Sequence, residues 1–214
     1  MYHELRKRGT KPRARTAPRA WQRMLSGRRL DLVDPSPLDI EIDDIAHGLA
    51  RVARWNGQTL GEHAFSVAQH TLLVEDIARL TAPDIGADGQ LAVMLHDAPE
   101  YVIGDMISPF KVLLGEDYRT VEARLLQAIH RRFGLKPPLS AKLLGKIKAA
   151  DHVAAYYEAT RLAGFSKPEA VKYFGHPKGI DPDALDLSPW PASLAERRFL
   201  DRFAAIAAAA SPHT

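Results

Sequence analysis

Cysteine is absent from the 214-residue chain. That excludes disulfides, thiolate metal sites and cysteine nucleophiles, so any metal must be held by His, Asp, Glu or water. Long apolar runs are missing too: none approaches the roughly 20 residues that span a bilayer. The basic start is followed by no apolar stretch of secretory type, so the expected location is the cytoplasm. Internal repeats are not visible. Strand signals are scarce: only Leu30-Asp31-Leu32 and Leu38-Asp39-Ile40-Glu41-Ile42 alternate, around Asp34-Pro35-Ser36-Pro37. They predict one small two-stranded ribbon.

What is there is ordinary in amount and uneven in placement. Hydrophobic residues make up 46% and charged residues 26%, as in a soluble globular protein. The length suits one domain with a substantial core. The net charge of +3 conceals an asymmetry. Residues 1–30 hold ten Lys/Arg against Glu4 alone, a balance of +9, so the remainder carries −6. Residues 1–28 therefore read as a basic N-terminal arm and 29–214 as a single domain, its core at about 43–164. A solvated extension is the preferred reading of the arm, and contact with nucleic acid the lesser one.

Beyond the ribbon the apolar period is helical throughout. Trp21, Met24 and Leu25 are spaced for one anchored helical turn. Asp43 or Asp44 can cap a helix with Ile45, Leu49, Val52 and Ala53 on one face, ending near Asn56-Gly57. A second helix runs from Glu62 or Ser66 to Leu80. A third covers about Asp88 to Val102, kinked by Pro99 and closed at Gly104. A fourth spans Asp117 to Phe133 and a fifth Ser140 to Leu162. Capping-box patterns at Ser166…Glu169 and Ser193…Glu196 open a short helix and the terminal one. The expected fold is an all-α bundle with a basic arm and a ribbon.

Chemistry concentrates at Leu95-His96-Asp97-Ala98-Pro99-Glu100. The His96-Asp97 pair sets an imidazole beside a carboxylate, and Glu100 follows at helical spacing from both. On the second helix His70 stands among the inward positions, between Val67 and Val74. On the fifth, Asp151 aligns with Ile147 and Ala154, a costly place for a carboxylate without a partner. Its i−3 neighbour Lys148 is one such partner. Together His70, His96, Asp97 and Asp151 offer one divalent cation two imidazoles and two carboxylates, with positions left for water and substrate. Mixed N/O ligands fit manganese, cobalt, iron, zinc or magnesium.

The order His…His-Asp…Asp resembles the signature of the HD-domain metal-dependent phosphohydrolases. Arg54-Trp55, Ser66-Val67-Ala68-Gln69-His70-Thr71, His96-Asp97-Ala98-Pro99-Glu100, Gly104-Asp105 and Ser108-Pro109-Phe110-Lys111 resemble the 5′-deoxynucleotidase branch. The match covers about residues 45–160. One departure is Gln69, where the branch often has Glu. The resemblance implies hydrolysis of 2′-deoxynucleoside 5′-monophosphates, and a homodimer, since relatives of this branch are often dimers. Glu100 would orient or deprotonate the attacking water, and Asp105 would assist at water or sugar. Arg54 would offer a phosphate its planar fork, Trp55 a wall beside sugar or base, and Lys111 a further phosphate contact.

Arg54-Trp55-Asn56-Gly57-Gln58-Thr59 also resembles relatives that act on deoxynucleoside triphosphates, which keeps release of triphosphate as an alternative. A third reading is a non-catalytic HD domain that binds nucleotide or nucleic acid through the arm. His63 lies close to the site in sequence, whereas His47, His130, His152 and His176 read as structural.

Overall fold

The computed structural model describes residues 19–106 and 115–210. The chain is all-α with one small ribbon. After β1 (Trp21–Arg23) and β2 (Arg29–Asp31) come α1 (Ile42–Leu49), α2 (Val67–Thr81), α3 (Gly86–Met94) and α4 (Glu100–Ile103). There follow α5 (Glu116–Arg132), α6 (Ala141–Arg161), α7 (Lys167–Phe174) and α8 (Ala192–Ala210).

At the centre stands α2, packed against α1, α3, α6 and α8. Eleven of its fifteen residues are buried, as expected of a helix surrounded on all sides. Four of those eleven, Gln69, His70, Thr71 and Glu75, are polar, and burial of such groups is expensive unless they are met. Glu75 meets Arg202 of α8. Gln69 donates from Nε2 to the Ser188 carbonyl at 2.8 Å and accepts from the Trp190 amide at 3.1 Å. A glutamate there could not donate to Ser188, so the Gln69 departure pins the 186–190 stretch to the central helix.

Several boundaries differ from the expectations. The ribbon exists, but Leu30 pairs backwards: β1 and β2 are antiparallel, with Trp21 opposite Asp31. Trp21 is thus strand and not a helical turn, and Pro37–Asp39 forms a 3-10 turn capped by Ser36. A hairpin closes more readily over the short Met24–Arg28 connection, with Gly27 at φ 87°, than over two prolines. Neither Asp43 nor Asp44 caps α1; both lie in its first turn behind Glu41. Asp44 instead accepts from the Ser26 amide at 3.0 Å and its hydroxyl at 2.5 Å, which anchors the ribbon.

The first helix stops at Leu49, short of Asn56-Gly57. Ala53 then pairs with Ser66 in an isolated antiparallel bridge, and the Arg54 amide donates to the Phe65 carbonyl at 2.8 Å. The third helix is broken where a kink was expected. Amides of His96, Ala98, Glu100 and Tyr101 each bond the carbonyl three residues back, at 3.0–3.2 Å. Pro99 has no amide hydrogen, and its ring would strike the Leu95 carbonyl in an α-helix, so the chain tightens across 95–101. Sequence limits for the fourth and fifth helices hold within a residue. The Ser166…Glu169 capping box is formed. The last helix opens at Ala192, one residue before Ser193.

Candidate metal centre

Ser66 caps α2 by accepting the Gln69 amide at 3.2 Å, which fixes His70 one turn into the helix. The His70 ring is fully buried. From the tightened turn after α3 come His96 and Asp97, and from the middle of α6 comes Asp151. His70, His96 and Asp97 form a group that could bind one metal ion: one ligand-type atom from each lies within 4.8 Å of the others.

Both imidazoles have one nitrogen committed. His96 Nδ1 lies 2.7 Å from the Val93 carbonyl, which can only accept, so that nitrogen carries the proton. His70 Nδ1 lies 2.5 Å from Glu158 Oε1. The proton on each Nδ1 leaves Nε2 as a lone pair when the ring is neutral. Both Nε2 atoms are buried without a hydrogen-bond partner. His70 Nε2 stands 3.4 Å from Asp97 Oδ2 and 3.4 Å from Asp151 Oδ1, and His96 Nε2 stands 3.3 Å from Asp97 Oδ2. Ligand atoms about 2.1 Å from a common tetrahedral centre lie about 3.4 Å apart. The His70, His96 and Asp97 atoms therefore suit a divalent cation in both chemistry and spacing, whereas Asp151 reaches His70 and stands outside that three-residue group. Asp151 turns its other oxygen, Oδ2, to Lys148 Nζ at 3.4 Å, so it serves both neighbours that its position allowed.

Electron-rich nitrogen and oxygen atoms this close need positive charge between them. Without a metal the protein supplies it as a proton. Burial and Arg54 oppose a charge on His70, yet Glu158, Asp151 and Asp97 together hold its pKa well above the ordinary value. Burial opposes ionisation of Asp97 and Asp151 as well. For Asp97, His96 and then His70 overcome it; for Asp151, His70 does so first, and both carboxyls stay well below the usual range. Metal binding at this site therefore competes with protonation of His70.

Around the cluster lies a second set of contacts. Arg54 Nε reaches Glu158 Oε2 at 3.3 Å and Arg54 Nη1 reaches Asp105 Oδ2 at 3.3 Å. Asp105 is held just past Gly104, whose φ of 78° turns the chain out of α4. Two donors of the Arg54 fork, Nε and Nη1, are thus engaged inside the protein, and Nη2 makes no hydrogen bond among the described residues. Burial works against its charge, but Glu158, Asp105, Asp97 and Glu100 keep the guanidinium charged. Glu100 is buried at the start of α4.

Trp55 presents its indole N–H to Glu158 Oε2 at 2.8 Å and packs on Phe165 and Phe174, with ring centroids 5.5 and 5.9 Å apart. Trp55, Asn56 and Gly57 all have positive φ, 57°, 51° and 74°. For the two non-glycine residues that conformation costs of order 1–3 kcal/mol each, held only by surrounding contacts. Lys111 and Ser108-Pro109-Phe110 lie outside the described residues.

Of the remaining histidines, His47 pairs with Glu196 at 3.4 Å, His176 stacks on Tyr156, and His130 is buried away from any ion pair among the described residues. Glu158 was not singled out by sequence reasoning. It is fully buried, and His70, Arg54 and Trp55 converge on it. Burial raises its proton affinity, but His70 and Arg54 outweigh that and bring its pKa to about 2. The available signal was spacing: Glu158 follows Asp151 by seven residues, two turns on the same face of α6.

No family model matches the chain. It is 60% identical over 162 residues to an uncharacterized protein of Rhodobacter capsulatus, an alignment covering 76% of this chain and 83% of that one.

Proposed function

The chain belongs to the same family as the uncharacterized Rhodobacter capsulatus protein, and we propose that it is an HD-type, divalent-metal-dependent phosphohydrolase acting on 2′-deoxynucleoside 5′-monophosphates. The observation that carries this reading is the pair of buried Nε2 atoms without a hydrogen bond, that of His70 3.4 Å from Asp97 and Asp151 and that of His96 3.3 Å from Asp97. Such atoms are expensive in a protein interior unless a cation takes their lone pairs.

His70, His96, Asp97 and Asp151 would hold the cation. When bound, it supplies Lewis acidity toward a phosphoryl oxygen and lowers the proton affinity of water. Arg54 turns its Nη2 edge to a phosphate while Glu158 and Asp105 hold the rest of the fork. Asp105 thereby acts through Arg54, placing the fork at the substrate. Glu100, buried beside Asp97 in sequence and felt electrostatically by Arg54, accepts the proton of the attacking water. Trp55 closes the wall between Arg54 and the Phe165 and Phe174 rings.

The products expected are a deoxynucleoside and inorganic phosphate. A panel of deoxy- and ribonucleoside mono- and triphosphates, assayed with manganese, cobalt, iron, zinc and magnesium, tests this. Phosphate from deoxynucleoside monophosphates, abolished by chelation, is the expected result. Tripolyphosphate from deoxynucleoside triphosphates would transfer the reading to the triphosphohydrolase alternative. Binding of nucleotide without any product would leave a non-catalytic domain.

A further inference from the structure

We infer that Glu158 is a positioning residue which ties the metal ligand His70 and the phosphate-facing Arg54 into one unit, so that metal and substrate sites are set together. The inference rests on the metal centre proposed above and goes beyond its ligand set. Glu158 comes from α6, one helical face with Asp151, and its carboxylate is fully buried. Its two oxygens divide the work. Oε1 takes the Nδ1 proton of His70, which is the contact that fixes the ring and points Nε2 at Asp97 and Asp151. Oε2 takes Nε–H of Arg54 and Nε1–H of Trp55.

That second oxygen bonds the start of the left-handed run Trp55, Asn56, Gly57, which holds the positive-φ non-glycine residues among those described. The indole hydrogen bond, the Phe165 and Phe174 rings and the Ala53–Ser66 bridge are the contacts that hold it. Glu158 lies 88 residues from His70 and 104 from Arg54, so it is where α2, α6 and the Arg54 turn are registered. Gln69, neutral and committed to Ser188 and Trp190, cannot take this part.

The isosteric Glu158→Gln change tests the idea, because it preserves volume and an acceptor for Nδ1 while removing the charge and one acceptor. Manganese affinity is read directly, by electron paramagnetic resonance of free Mn2+, with no substrate present. The expected loss is 10- to 100-fold, together with a raised KM for the deoxynucleotide through Arg54. Trp55→Phe keeps an aromatic ring but removes the indole donor together with part of the packing on Phe165 and Phe174, and is expected to weaken Mn2+ binding about fivefold, the scale of one hydrogen bond. Wild-type Mn2+ affinity in folded Glu158→Gln would overturn the inference.

Should that variant fail to fold, the intact protein decides. In its zinc-loaded form, nitrogen-15 spectra should place the His70 proton on Nδ1, and a proton-free Nδ1 would overturn the inference. Because Mn2+ binding is read without turnover, a wild type that binds metal but releases no phosphate overturns the phosphohydrolase reading and not this one.

Discussion

Around Trp21 on the ribbon, the guanidiniums of Arg19, Arg23 and Arg29 lie 4.9, 5.5 and 4.5 Å from the indole ring, all three side chains exposed. Between α2 and α6 a single guanidinium, that of Arg54, meets Glu158 and Asp105 with 14% of its side chain exposed. The two regions use the same group in opposite ways. On the ribbon, water and salt screen each charge, and a cation–π contact contributes about 0.5–1 kcal/mol. In the interior screening is weak, so each charge must be answered by a partner. Where this chain concentrates formal charge and where it concentrates chemistry are therefore different places.

Breaking the interior at its ligand should give the largest effect. Asp97→Ala is expected to lose both turnover and bound metal, read by phosphate release and elemental analysis; a fully active, metal-free variant would end the metal reading. Next comes Arg54→Met, which leaves buried Asp105 without its cation and Glu158 with His70 alone. We expect a loss of about 3–5 kcal/mol in urea unfolding, beside a raised KM.

A buried histidine sharpens the contrast within the interior itself. Among three carboxylates the pKa of His70 is raised well above its ordinary value, whereas burial alone lowers that of His130 to about 4. The unfolded chain binds the His130 proton near its ordinary value of about 6.5. Stability from neutral His130 is thus full above that pH and is lost as pH falls toward 4, by up to about 3 kcal/mol. In metal-free protein, His130→Leu should remove that part of the acid slope; an unchanged slope would refute the assignment. The smallest effect belongs to the ribbon. Arg29→Met should change stability by no more than about 1 kcal/mol and leave metal content untouched.

Spacing along one helix made much of this legible in advance. His70 was readable because Val67 and Val74 bracket it, and Asp151 because a carboxylate in an apolar stripe asks for a partner. The two long helices α5 and α6 were readable from their period, and α7 from its capping box. The break at 95–101 was only half legible: Pro99 predicted a disturbance, but not that His96 and Asp97 would fall inside it. The ribbon's partner was missed because alternation marks a strand and does not say which neighbour it pairs with.

Helical class and the candidate ligand types in their order came from sequence, since these follow from local period and from what each side chain can donate or accept. Tertiary structure alone decided that Glu158 stands behind His70, that Arg54 is clamped by two carboxylates, and that Trp55 supports Glu158 from a left-handed turn. Those facts depend on which helix faces come together across about a hundred residues of chain, and burial, which gives each charge its strength, exists only once they have.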